Sequence, residues 1–288
     1  MNDHFGIGWR PELAAGILSN LDRIDIVEVI ADDYFAAPRA KRRALGTLAR
    51  QIPVALHGVT LGLASAVAVD KRRLERTARL IEEVQPEFWS EHLAFVRGGG
   101  IEIGHLAAPP RTEATIDGAA RNLAAARSIV GEMPLIENIA TLIDPPGSTR
   151  SEADWTAKIL TTANCPLLLD LHNLYANAVN FDFDPYDYID RLSQESIRAI
   201  HLAGGRWITA KSSNNRRLLD DHLHDVPDEV YELLRHVGRR TTHELTVILE
   251  RDGHYPPMAA LLSQLARARH ALQHGRERRQ AQLKLAAA

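Results

Sequence analysis

The chain has 288 residues and a formal net charge of −3 at pH 7, a balance that excludes the basic footprint of a nucleic-acid-binding domain. Its single cysteine, Cys165, excludes an internal disulfide and a cysteine-based zinc site; beside Pro166 it reads as a small semi-buried thiol. No apolar run reaches the roughly 18 residues that span a bilayer, and the opening MNDHFGIGW lacks the basic and apolar regions of a signal peptide, so the expected location is the cytoplasm, with no membrane partner.

In chain order, strand-like and helix-like stretches alternate. Phe5–Trp9 reads as a strand, and Pro11 suits the first turn of a helix over Glu12–Asn20. Ile24–Ile30 is the second strand, with Glu28 inside it, followed by a helix over Ala37–Arg50. Pro53–His57 is the third strand. Asp70–Val84 is a charged amphipathic helix whose KRRLER segment is a solvated face. Glu87–Leu93 is the fourth strand, and Gly98–Gly100 is a turn without the Gly-Lys-Ser/Thr of a phosphate loop. A helix over Thr115–Val130 precedes the fifth strand, Pro134–Asn138. Ser151–Thr161 opens with Ser151 and Asp154 in a near-capping pattern and leads to the sixth strand, Pro166–Asp170. A short helix, Pro185–Leu192, precedes the seventh strand, Ile197–Leu202; a helix over Pro227–Val237 precedes the eighth, Thr246–Glu250; the last helix covers Pro256–Gln273.

Such alternation is the signature of a parallel α/β architecture. There is no Gly-x-Gly-x-x-Gly after the first strand, which counts against a dinucleotide-binding fold. Eight strands predict a closed (β/α)8 TIM barrel, a single domain over residues 1–274. The charged, then Ala-rich, segment 275–288 is expected to be a frayed helix or disordered.

The chemistry is concentrated where the apolar runs stop. LLLDLHN, residues 167–173, passes from three leucines to Asp170, His172 and Asn173. On an extended chain residues i and i+2 share a side, so Asp170 and His172 are expected to project together. Other runs end in His57, His92, Glu137, His201 and Glu250, and LLDDHLHD adds Asp220, His222 and His224, alternating on one side if extended. One such residue alone is ordinarily a cap or a hydrogen-bonded side chain. The whole set at strand ends is not, because those ends face one mouth in a barrel. Glu137, Asp170, Asp220 and Glu250 would place four carboxylates in one cavity, where like charges repel by several kcal/mol per close pair, on the order of Coulomb energies at intermediate dielectric. Interleaved imidazoles point to cations of the iron, manganese or zinc type, and eight or more ligands imply two or three of them.

At these residues the chain resembles the multinuclear non-haem iron-dependent oxidases, barrel enzymes related to the methanobactin-biosynthesis oxidase within the xylose-isomerase-like superfamily. The resembling segments are GIGWRPE, DIVEVI, PVALHGVTLGLAS, SEHLAF, PLIENI, LLLDLHNLYANAVN, IHLAGG, DDHLHDVPDEVY and ILERD, spread over nearly the whole chain. The resemblance implies two or three iron ions, O2 as co-substrate, and a ribosomally made, Cys-containing precursor peptide, often presented by a small leader-binding partner protein. It implies His57, His92, Glu137, Asp170, His201, Asp220, His222 and Glu250 as ligands. His172 stands where many relatives have Asn and is expected to add or replace a ligand. His57, His92 and Asp220 are the expected catalytic groups. Arg10, Asn138, Asn173, Tyr175, Asn177 and Asp252 are expected to line the substrate path or orient ligands. Asp32-Asp33 and Arg251 depart from the family pattern near the expected mouth.

The mechanism so implied binds a peptide thiolate at iron, its pKa lowered by the metal, and uses O2 to remove hydrogen beside the sulfur. A zinc- or manganese-dependent hydrolase, phosphodiesterase-like, or an isomerase on the same barrel is the alternative enzyme. A barrel that captures a peptide without chemistry is the non-enzymatic one. His4, His105, His236, His243, His254, His270 and His274 are expected on the surface or in packing roles.

Overall fold

The computed structural model describes residues 2–209 and 216–286; residues 287–288 of the expected tail lie outside the described residues. Twelve strands are present among them: β1 (His4–Gly8), β2 (Ile26–Ile30), β3 (Val54–Gly58), β4 (Phe88–His92), β5 (Phe95–Gly98), β6 (Ile101–Ala107), β7 (Leu135–Glu137), β8 (Leu167–Asp170), β9 (Ile197–Leu202), β10 (Arg206–Thr209), β11 (Arg216–Leu219) and β12 (Thr246–Leu249). Eight of these close into one parallel barrel in the order β1-β12-β9-β8-β7-β4-β3-β2. They are the eight strands expected from the sequence. Their residues are buried nearly throughout, as for strands covered by helices on one face and barrel packing on the other.

The other four strands form two antiparallel hairpins, β5–β6 and β10–β11. Each lies in a βα loop, after β4 and after β9, so both stand at the C-terminal end of the barrel. The sequence reading placed only a turn at Gly98–Gly100 and a loop before Asp220. Short, exposed, charged hairpins carry little apolar periodicity, and β6 is mostly solvent-facing.

One expectation is overturned at the end of β8. Asp170 is the last strand residue, and a helix, Leu171–Phe181, starts at once. The Asp170 carboxylate accepts a 2.6 Å hydrogen bond from the Asn173 backbone N–H, capping that helix. Residues 171–173 are therefore helical, and the i, i+2 geometry of an extended chain does not apply to Asp170 and His172. This helix was absent from the sequence reading.

The last helix runs Met258–Ala286, and the segment from Gly275 onward continues it. Arg276, buried within that continuation, donates to the Asp3 carboxylate at 2.6 Å and to the His243 carbonyl at 2.7 Å, beside the β1–β12 seam. Cys165 is buried, and burial pushes its thiol up to about 12, as suits a packing residue.

Above the barrel, the loop after β3 is held by one side chain. Asn122, buried on the helix Glu113–Val130, donates to the carbonyls of Leu63, Ser65 and Val67 and accepts from the Val69 N–H at 2.9 Å. Asn122→Ala leaves these groups unpaired. Chemical denaturation is expected to show a loss of about 2–3 kcal/mol, the scale of orphaned buried hydrogen-bonding groups.

Candidate metal centre

Buried polar side chains gather at the C-terminal ends of the barrel strands. His92 ends β4, Glu137 ends β7, Asp170 ends β8, His57 and His201 each lie one residue from the end of β3 and β9, and Glu250 follows β12. Glu137, Asp170 and His201 are at most 1 % exposed. Their donor atoms fall into two groups, each able to hold an ion: His57, His92 and Glu137, and Glu137, Asp170, His201 and Glu250. Glu137 belongs to both. Within each group the donor atoms lie within 4.8 Å of one another.

The orientation of these groups differs from that of an ordinary polar network. His57 Nε2 and His92 Nε2 lie 3.3 and 3.5 Å from Glu137 Oε2, yet that oxygen accepts no hydrogen bond. Asp170 Oδ2 and His222 Nε2 are likewise buried without a hydrogen-bond partner. Buried acceptors left bare cost several kcal/mol unless a further group satisfies them. Lone pairs converging on a shared space are what a cation requires. A mixed imidazole and carboxylate donor set, without thiolate, suits iron, manganese or zinc.

Each ring is fixed from behind. Ser90 Oγ holds His57 Nδ1 at 2.8 Å, and the Gly58 carbonyl lies 3.2 Å from His92 Nδ1, so both rings present Nε2 to Glu137. His201 is turned the other way. Its Nδ1 faces Glu137 Oε1 at 3.2 Å and Glu250 Oε2 at 3.0 Å, while Nε2 meets Glu28 Oε2 at 2.9 Å. Glu28 is fully buried in β2. It gives His201 a carboxylate–imidazole arrangement that turns Nδ1 toward Glu137 and Glu250. The sequence reading saw Glu28 inside a strand and gave it no role; a charged residue in an otherwise apolar strand was the available signal. Glu91 was also passed over. It accepts from the N–H groups of Leu61 and His92, with burial and the neighbouring Asp32 pushing its carboxyl well up.

Asp220 and His222 enter from the loop after β11. His222 Nε2 is 3.0 Å from Asp220 Oδ1; its Nδ1 is 3.4 Å from both Glu250 Oε2 and Asp252 Oδ2. Its backbone has φ +55°, a strained value that functional residues often hold. His224 turns away to Asp221 at 2.9 Å, so the three loop residues do not share one side. His172 meets Asp220 Oδ1 with Nδ1 at 2.6 Å; His172, Asp220 and His222 all lie outside the two ligand groups. Arg10 forks onto Asp252 at 2.5 and 3.0 Å. Asn138 brackets Asp170 by donating to its carbonyl and accepting from its N–H, both at 2.9 Å. Asn173 donates to the Asn138 carbonyl.

His57, His92, Asp220, His222 and Glu250 floor a cavity of about 990 Å³, and Glu137, Asp170 and His201 do not line it. Its walls include Val96 and Leu106 of the β5–β6 hairpin, Ile139, Leu142 and Ile143 of the loop after β7, and Leu218 of the second hairpin. Arg10, Asn173 and Asp252 line it. Tyr175 and Asn177 do not. The Tyr175 hydroxyl is beside Glu229, and Asn177 ties the Thr141 N–H and Ile139 carbonyl to Glu152. Neither family departure faces the cavity: Asp32 holds the Val59 N–H and the Thr60 hydroxyl, and Arg251 is buried against the Gly253 and His254 carbonyls.

The family model of the RiPP precursor modification enzymes MbnB/TglH/ChrH, which act on ribosomally made peptides, matches residues 4–273. The chain belongs to this family. Among curated relatives, UPF0276 proteins from Anaeromyxobacter sp. and Caulobacter vibrioides are each 32% identical, over 91% and 93% of this chain and 90% and 95% of theirs. A UPF0276 protein of Streptomyces avermitilis is 34% identical over 93% of this chain, which spans 55% of that relative's length. Solved structures share the fold: an L-ribulose 3-epimerase (TM-score 0.56, 14% identity, 100% and 99% of the two chains) and the IOLI protein with a bound zinc atom (0.58, 11%, 93% and 96%). No described helix is long and apolar enough to cross a membrane.

Two predictions follow from the charges. Burial pushes His201 and His222 down, but Glu250, Glu28 and Glu137 around the first, and Asp220 and Glu250 around the second, hold both well above the usual imidazole range. Burial, Asp220 and Glu137 push Asp170 well up. These shifts favour the protonated form of each group in the metal-free site. Metal uptake by chelator-stripped protein in weak buffer is expected to release protons, and affinity to fall as pH drops. Glu28→Gln removes the carboxylate behind His201. Chelator competition is expected to show about 10- to 100-fold weaker binding of the metal held by Glu137, Asp170, His201 and Glu250.

Proposed function

We propose that this chain is a multinuclear iron-dependent oxidase that uses O2 to modify cysteine residues of a ribosomally made peptide. The observation that carries the reading is Glu137. Its two carboxylate oxygens face two separate sets of donors, as a bridge between neighbouring ions would. Family membership supports the peptide substrate class, and Asp220 and His222, which face each other across 3.0 Å, would supply donors for a third ion.

Iron held by these residues would supply the one-electron chemistry with O2 that protein side chains lack. The chain's own groups do the rest. Ser90 and Gly58 aim His57 and His92, and Glu28 aims His201. Asn138 locks the backbone on which Asp170 stands. Asp252, itself clamped by Arg10, holds the Nδ1 side of His222 at the cavity wall. The apolar walls receive peptide side chains and exclude water, while a peptide thiol reaches the floor beside His57, His92 and Asp220. In this reading the chain acts in the cytoplasm, and a small partner protein presents the leader of the precursor.

The test is metal analysis of protein made without chelator. More than one iron per chain and a visible absorption band are expected. Colourless protein holding zinc would instead support a hydrolase. His57→Ala is expected to lower iron by about one ion per chain without unfolding the barrel, and to abolish O2 consumption driven by a Cys-containing peptide encoded beside this gene. Full peptide binding with no product from the unmutated protein would leave a capture module.

A further inference from the structure

We infer that His172 is a positioning residue that fixes Asp220 for metal binding rather than a ligand itself. This rests on the metal-centre reading above. His172 stands in the first turn of the helix Leu171–Phe181 and is 1% exposed. Its Nδ1 lies 2.6 Å from Asp220 Oδ1. Asp220 lines the cavity; His172 does not. The imidazole is thus behind the carboxylate, as seen from the open mouth.

The rest of the ring is closed in by backbone. A Cβ placed on Gly205 would lie 2.6 Å from His172 Cε1 and 3.1 Å from Nε2, and would also strike the Leu219 carbonyl. The loop after β9 can close down on this edge only because residue 205 has no side chain. Nε2 is buried there without a hydrogen-bond partner. With the Nδ1 proton on the carboxylate side, Nε2 is an acceptor; the Gly205 backbone packs against that edge, and the ring does not line the cavity, so Nε2 is shut off from the space where an ion would sit rather than turned toward it.

The same helix grips the same hairpin a second time. Eight residues on, Asn180 donates to the Leu218 carbonyl at 2.9 Å and accepts from the Leu218 N–H at 2.8 Å. Asn180 sets the β11 backbone against the barrel, and His172 sets the side chain two residues further along. Asp220 Oδ1 is left facing His222 Nε2 at 3.0 Å without a hydrogen bond between them. The opening between these two atoms is where an ion would be held, and His172 keeps its carboxylate wall in place.

The test is a mutant cycle read by ferrous-ion affinity in chelator competition under argon, with circular dichroism as the check on folding. His172→Leu keeps the volume and removes the donor; it is expected to weaken the ion held by Asp220 at least tenfold. His172→Asn keeps an N–H near the Nδ1 position and is expected to stay within about threefold of the unmutated chain, on the same donor argument. Asp220→Asn is expected to lose as much as His172→Leu or more. The double variant is expected to be no worse than Asp220→Asn alone, because a residue that acts only through its partner adds nothing once that partner is gone. Wild-type affinity in His172→Leu overturns the inference in favour of packing. Fully additive losses, or equal losses in His172→Asn and His172→Leu, overturn it in favour of direct ligation. An unmutated chain that binds no transition metal overturns the metal-centre reading, and this inference with it. If His172→Leu does not fold, the His172→Asn and Asp220→Asn arms decide.

Discussion

Three buried carboxylates, Glu28, Glu137 and Glu250, crowd within 3.2 Å of the single ring of His201. One imidazole has two nitrogens and at most one positive charge, so it cannot balance three carboxylates removed from water. Much of the local architecture answers that imbalance. His57 and His92 turn Nε2 toward Glu137, with burial pushing His92 down. Glu137 and Glu250 are pushed up by burial but held below the usual range by the surrounding imidazoles, Glu250 well below it. With so many carboxylates and imidazoles in one buried site, metal binding there would be coupled to proton release.

The barrel makes such crowding possible because it delivers side chains from strands distant in sequence to one end. β3, β4, β7, β8, β9 and β12 each contribute to the donor set at or next to their last residue. The loops then decide access. The β5–β6 hairpin and the loop after β7 supply apolar wall, whereas the β10–β11 hairpin carries Asp220 and His222 toward the floor. An L-ribulose 3-epimerase shares the same scaffold, so the barrel alone does not fix the chemistry.

The barrel and its strand-end donors were legible in the sequence for a physical reason. Strands buried on both faces are nearly pure apolar runs, and a titratable residue at the end of such a run stands out. Glu28 was less legible because it lies inside its strand, where a lone charge reads as a local irregularity. His172 was misplaced by geometry: the helix begins one residue after Asp170, and no Gly, Pro or polar gap marks the change of period from strand to helix. The hairpins escaped because they are short and exposed. Tyr175 and Asn177 share the helix of Asn173, yet helical rotation turns them to Glu229 and Glu152 instead of the cavity.

The bond between Arg276 and Asp3 has a meaning for where this fold ends. The family match stops at residue 273, but Arg276 reaches back from the last helix to Asp3, just before the first strand, and to the His243 carbonyl. It clasps the two ends of the polypeptide across the joint where β1 meets β12, the strand that leads into Glu250. The hoop of strands is thus locked by a residue beyond the conventional border. A chain trimmed to that border would keep every donor and lose its fastening.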